Sequence, residues 1–334
     1  MTAAGYKKLI NDPFDAVDEA LDGFVAAHAD IVALAEPRVV VRRKPGTGKV
    51  GIVVGGGSGH EPAFAGYVGT GIADAAACGN IFASPPPNVV LAAIHAANHG
   101  RGVLQGYGNY AGDVMNFGLA AQMASSEGIE VREIQVTDDV ASAPMHETSK
   151  RRGIAGDIIV FKCAGAAAEQ GLSLAEVERV AIKSNEATRS MGVALSACEV
   201  PGSGRPTFEL PDGEMEIGMG VHGEPGIKRG PLQPADEVAR TLVDAIVRDI
   251  PDRGRGEIAL LVNGLGATAY LDQYILYRGA RRALEASGLR VVRSYVGEFI
   301  TSLEMAGASV TVALLDDELV SLLDAPARTA RFNA

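Results

Sequence analysis

The β-branched run at 50–54 (VGIVV) opens directly into GGGSGHEP at 55–62, and this junction constrains the fold more than any other stretch. A strand that ends in consecutive glycines is how α/β proteins bring backbone N–H groups and side chains to the carboxyl edge of a sheet. The same vocabulary returns at 216–229 (EIGMGVHGEPGIKR), where His222 stands among Gly218, Gly220 and Gly223 and just before Glu224-Pro225-Gly226. Glycines on both sides let the backbone turn sharply and let a small molecule reach the imidazole without meeting Cβ atoms. Either stretch alone reads equally well as a turn whose histidine hydrogen-bonds the backbone. Together, His60 and His222 are expected to form two halves of one polar pocket.

The rest of the chain alternates strands and helices. Phe14, Val17, Leu21, Phe24, Val25, His28 and Ile31 recur at helical spacing after a start at Asn11-Asp12-Pro13, which makes His28 a helix residue. VVV at 39–41 reads as a strand. PGTGK at 45–49 is not a phosphate loop: Arg43 occupies the place of the required glycine, and Val50 replaces the Ser/Thr that would hold magnesium. It is expected to be a hairpin turn. A rigid loop at 80–87 precedes a helix at 88–99, where His95 and His99 have a metal-compatible spacing but no accompanying glutamate motif. A strand at 102–107 leads through 108–112 to Asp113, placed as a helix N-cap, and a helix carrying Val114, Phe117, Leu119 and Met123. Asp113 there either caps the helix or presents a carboxylate at the sheet edge.

A strand at 131–136, helices at 153–168 and 173–191 and a strand at 193–200 follow. The βα order implies a largely parallel sheet with helices on both faces. Consecutive turns at 201–206 and 211–213 place a boundary between about 180 and 215. The chain is therefore divided into domains 1–185 and 186–334, and 334 residues suit two domains. The second half holds a helix at 235–248, a strand at 257–262 ending in NGLGAT, a helix at 271–286, strands at 289–295 and 310–314, and a C-terminal helix. The expected fold class is α/β, with two α/β domains on mostly parallel or mixed sheets.

With 30 basic and 41 acidic residues the net charge is −11, which argues against nucleic acid or an anionic membrane surface as a partner. The N-terminal MTAAGYKKLIND lacks the apolar run of a signal peptide, and no stretch has eighteen uninterrupted apolar residues. Cys78, Cys163 and Cys198 fit no metal-ligand spacing. A reduced, cytoplasmic protein without a metal site is expected.

GGGSGHEPAFAGYVG (55–69), NYAGDVMNF (109–117), MGVHGEPGIKR (219–229), VNGLGAT (262–268) and TSLEMAG (301–307) resemble, in order over about residues 5–330, the substrate-binding subunit of the dihydroxyacetone kinase family. That resemblance implies a phosphotransferase subunit. The histidine matching His222 would attack the ketone carbon of a short-chain ketose and hold it as a hemiaminal. His60 and Asp113 would hydrogen-bond the sugar and help deprotonate the hydroxyl that receives phosphate, and the backbone of Gly57, Ser58 and Gly59 would contact it. The residues can do this chemistry: a neutral imidazole is a nucleophile, and an aspartate can serve as base for a hydroxyl. Only ketones and aldehydes form the bond, so selectivity comes from reactivity.

This chain shows no Walker A motif or aspartate-rich Mg–ATP cluster, so no cofactor is expected on it. The resemblance implies a separate helical nucleotide-binding subunit carrying ATP, or ADP as phosphate carrier, with Mg, and a homodimer of this chain. Two positions depart from the pattern: Gly108 replaces a substrate-touching lysine, and Phe64 stands where histidine is common. Loss of the lysine opens room, which suggests a ketose larger than dihydroxyacetone, such as erythrulose; unchanged dihydroxyacetone is the alternative. The rival function is a non-catalytic ketose-sensing co-activator, and a dehydrogenase is disfavoured because the glycine loop lacks the dinucleotide fingerprint.

Overall fold

The fold was obtained as a computed structural model, which describes residues 7–250 and 252–333; residues 1–6 of the N-terminal stretch read for a signal peptide, 251 and 334 lie outside the described residues. The first half runs α1 (Ala16–Ala27), β1 (Val32–Glu36), β2 (Val39–Arg42), β3 (Gly51–Ser58), β4 (Gly69–Thr70), β5 (Ala75–Ile81), α2 (Pro87–Ala97), β6 (Val103–Gly108), α3 (Ala111–Ser126), β7 (Val131–Val136), α4 (Asp157–Glu169) and α5 (Leu174–Ala187). Its six-stranded sheet has the order β1-β2-β5-β3-β6-β7. The run β5-β3-β6-β7 is parallel, with β1 and β2 added antiparallel at one edge. Every residue of β3 is buried, as a parallel strand covered on both faces requires. Val53, Ala75 and Val103 pack on α2 and α3, while their neighbours Ile52, Ala76 and Leu104 face α4 and α5.

The second half runs β8 (Thr188–Ala194), β9 (Glu214–Ile217), β10 (Lys228–Pro231), α6 (Ala235–Arg248), β11 (Glu257–Gly264), α7 (Tyr270–Ala286), β12 (Arg290–Gly297), β13 (Gly307–Leu314), α8 (Asp317–Asp324) and β14 (Arg328–Thr329). Its sheet, β10-β9-β8-β13-β11-β12, is mixed, with only β11–β12 parallel. Helices α6 and α7 bury their apolar stripes on one face. On the other, Ala259, Leu261 and Ala313 join the cluster that holds α4, α5 and α8. Helix α4 is thus enclosed on all sides, and Asp157 through Ala168 are all buried. The chain end returns to the first half, where β14 pairs with β4 and Leu322 O accepts from the buried Lys162 Nζ.

Five local expectations are corrected. Helix α1 starts at Ala16, because Asp12 spends its carboxylate on Phe14 N in a turn ahead of the helix. The stretch at 45–49 is no hairpin: β5 lies between β2 and β3, and Lys49 turns in to pair with Asp74 at 2.6 Å. Helix α5 ends at Ala187, since Thr188–Ala194 pairs with β13 and the ladder overrides helical periodicity. The strand expected at 193–200 is therefore the earlier β8. Asp113 is the third residue of α3, Tyr110 taking the cap position without a side-chain cap.

Candidate functional site

The parallel strands β3 and β6 deliver Gly57 and Gly108 to the same sheet edge, and the turn after β3 carries His60. That turn is fastened by the loop at 299–303. Thr301 N donates to His60 O at 3.2 Å, Leu303 N to Gly59 O at 2.8 Å, and Thr301 Oγ1 to Glu61 O at 2.8 Å. The loop is fixed in turn by buried Asn263, whose Oδ1 accepts from Phe299 N and Ile300 N while its Nδ2 donates to Ile300 O. Glu61 folds back on its own turn, accepting from Gly59 N at 3.0 Å. Phe82 stacks on the His60 ring with centroids 4.9 Å apart.

His222 comes from the loop between β9 and β10. Gly218, at φ +79, and Gly223, at φ +85, let that loop reverse twice. Glu216 ties it together through Gly226 N at 2.7 Å and Arg229. Glu224 accepts from His222 N at 3.0 Å with one oxygen and from His222 Nδ1 at 2.9 Å with the other. The His222 ring then meets the edges or faces of Tyr110, Phe82 and His60.

The two histidines meet: His60 Nε2 and His222 Nε2 are 3.0 Å apart. The cleft around them is lined by Gly56, Gly57, Phe64, Gly108, Tyr110, Asp113, Gly153, Asp157, Val221 and Ile300. Its enclosed part is about 20 Å³, roughly the room of one water. Of the expected site residues, Gly57, His60, Gly108, Asp113 and His222 share this cleft. Ser58 and Gly59 do not line it: the Ser58 hydroxyl donates to Gly79 O at 2.8 Å, and Gly59 is held by Glu61 and Leu303. Phe64 is buried against Gly56 and closes one wall.

Acceptors around the rings assign their protons. His60 Nδ1 faces only a carbonyl, Thr301 O at 2.7 Å, so it donates there and leaves a lone pair on Nε2. Burial, then the neighbouring His222, push His60 down to about 3 and keep it neutral. His222 Nε2 must therefore donate to His60, while His222 Nδ1 donates to Glu224. Both ring nitrogens of His222 are therefore engaged, one by His60 and one by the Glu224 carboxylate. Burial alone would raise Glu224, but the hydrogen bond from His222 and its charge outweigh that and hold the acid at about 2. The nitrogen expected from sequence to be free for attack is thus engaged.

Asp113 is 8% exposed and its Oδ1 has no hydrogen-bond partner. Burial pushes its pKa up to about 6, with Ser84 and His222 pulling less strongly the other way. A carboxylate raised that far is a competent base near neutral pH. Sequence reasoning missed Glu224 as the ring's partner, although its place two residues after the histidine was visible. It also missed Asp157, whose signal was an acid opening a helix that is mostly apolar and small. His95 pairs with Glu127 and not with His99. Among the described residues no group of three His, Cys, Asp or Glu side chains is placed to hold a metal, and no helix is long and apolar enough to cross a membrane.

The family model described as the Dak1 domain matches residues 22–331. The chain is 47% identical over 328 residues to the L-erythrulose 1-kinase of Mycolicibacterium smegmatis, covering 97% of this chain and 57% of that protein. It is 47% identical over 329 residues to the dihydroxyacetone-binding subunit DhaK of the PTS-dependent dihydroxyacetone kinase 2 of Listeria innocua, covering 98% and 99%. The chain thus spans little more than half of the first relative and nearly all of the second. The crystal structure of the dihydroxyacetone kinase of C. freundii superposes with a TM-score of 0.89 at 35% identity, over 98% of this chain and 60% of that one. The dihydroxyacetone kinase operon co-activator Dha-DhaQ superposes at 0.88 and 33% identity, over 94% and 97%.

Proposed function

Because the chain belongs to the Dak1 domain family, we propose that it is the substrate-binding part of a ketose kinase, a phosphotransferase acting on a short-chain ketose held covalently by His222. The observation that carries this is the 3.0 Å contact between His60 Nε2 and His222 Nε2, beside a buried carboxyl with an unpartnered oxygen. His222 gives its Nε2 proton to the His60 Nε2 lone pair, and the freed pair attacks the ketone carbon. The carbonyl π electrons move to oxygen, which takes the proton back from His60. The product is a hemiaminal whose ring keeps its positive charge against Glu224. His222 Nε2 cannot bond carbon and still donate to His60, so adduct formation releases His60 for a sugar hydroxyl. Asp113 takes the proton of the hydroxyl that attacks the donor phosphate.

The phosphate donor, ATP or ADP used as a carrier, together with Mg, belongs in this proposal to a separate helical nucleotide-binding subunit. The protein would work as a cytoplasmic homodimer, with its ketose-binding and covalent-histidine domains meeting at 185/186. The similarity to a co-activator supports a second role, ketose sensing without transfer. Asp113 favours the kinase, since binding alone needs no base.

Intact-protein mass spectrometry and crystal soaking with dihydroxyacetone and with erythrulose test the anchor. One sugar mass is expected on wild type and none on His222→Ala. An adduct that survives in the variant, or none with either sugar by both methods, refutes the covalent role.

A further inference from the structure

The cleft contains a second carboxyl that the scheme above leaves unused. Asp157 is the first residue of α4, 2% exposed, and its Oδ1 has no hydrogen-bond partner. It does not cap its helix. Asp138 holds the turn ahead of the helix, accepting from Ile154 N and Gly156 N at 2.8 Å each. The nearby charges acting on Asp157 are both acidic, Asp138 and Asp113, and with burial as the largest cause they raise its pKa well above the ordinary value. A buried, unpartnered acid costs stability and is retained here without any structural bond in return.

Its surroundings open toward the cleft. A Cβ on Gly153 would stand 2.6 Å from Gly108 Cα and 2.8 Å from Asp157 Oδ1. The two glycines therefore touch backbone to backbone, and neither puts a side chain between the carboxyl and the cleft. A neutral carboxylic acid presents one donor and one acceptor side by side, which suits an alcohol hydroxyl.

We propose that Asp157 determines specificity by hydrogen-bonding a hydroxyl on a carbon that dihydroxyacetone lacks, which makes a four-carbon ketose the preferred substrate class. This rests on the ketose-binding function proposed above.

The test is equilibrium binding of dihydroxyacetone and erythrulose to the full chain, comparing wild type, Asp157→Asn and Asp157→Ala, with Tm recorded for each. Wild type is expected to bind erythrulose more tightly. Asp157→Ala should lose about tenfold or more for erythrulose and less than about twofold for dihydroxyacetone. Asp157→Asn, which still donates and accepts, should stay within about threefold of wild type. Both variants should melt at or above wild type, because an unpartnered buried acid has been removed. Equal losses for both sugars, an undiminished preference in Asp157→Ala, or a marked fall in Tm for both variants would overturn the assignment alone. A wild type that binds neither sugar removes the ketose function and this assignment with it.

Discussion

The turn at 59–62 and the loop at 221–226 use nearly the same residues, GHEP against VHGEPG, and their two histidines touch. Their surroundings make them chemical opposites. His60 is 3% exposed, its Nδ1 is fixed by Thr301 O, and its glutamate bonds the backbone of its own turn. His222 keeps 23% of its side chain exposed, and its glutamate holds the ring. One extra residue, Gly223, makes the difference: at φ +85 it turns Glu224 back onto the imidazole, whereas Glu61 follows His60 directly and reaches Gly59. The carboxylate's position decides which ring has its Nδ1 held by an acid and which has it held by a carbonyl.

The largest test of that contrast exchanges the glutamates for amides. Glu224→Gln removes the negative partner of the His222 ring and should slow adduct formation by about 10–100-fold. Glu61→Gln, which still offers an oxygen to Gly59 N, should change it by less than about threefold. Rates of mass increase with erythrulose measure both, and equal effects would mean that Glu224 does not set the ring's charge.

Acid stability should separate the two rings next. The folded His60 value, about 3, lies below its ordinary 6.5, so only the unfolded chain takes up a proton as pH falls from 6.5. Stability is lost over that range at up to about 1.4 kcal/mol per pH unit. Asp113, raised to about 6, works in the opposite sense, its contribution disappearing as pH rises through 6. Glu224, held at about 2, loses its contribution only below its ordinary range. His60→Asn keeps a donor for Thr301 O and leaves the two acids in place. Its stability deficit relative to wild type should therefore shrink by about 1–2 kcal/mol between pH 7.5 and pH 5, read from denaturant midpoints. A deficit constant with pH would place a proton on the folded ring.

The smallest effect is expected from Gly223→Ala. The added Cβ must adopt a left-handed backbone and approaches the Phe208 ring at 3.0 Å. A loss of about 1 kcal/mol, or a few degrees in Tm, should result. A variant as stable as wild type would show that another residue can make the same reversal.

Much of this was legible in the sequence because it is local. Helices α6 and α7 and the strands around Val53 and Leu260 follow from periodicity and β-branched runs, and the pairing of His60 with His222 follows from repeated glycine framing. Strand β5, AAACGNI, was missed because small residues carry little strand propensity, and only its place between β2 and β3 makes it one. The same nonlocal order undid the hairpin at 45–49. Asp113 lies three residues past the cap because Tyr110 takes that place, its hydroxyl donating to Gly153 O 43 positions away. Asp157 was hidden because burial of α4 on every side is a product of both sheets and leaves no mark on its own segment.

The bond from His60 Nδ1 to Thr301 O joins groups 241 positions apart. A ribosome makes the histidine long before the carbonyl that orients its proton. The orientation of the His60 proton therefore depends on a loop from the second half, and the first half by itself does not carry that acceptor.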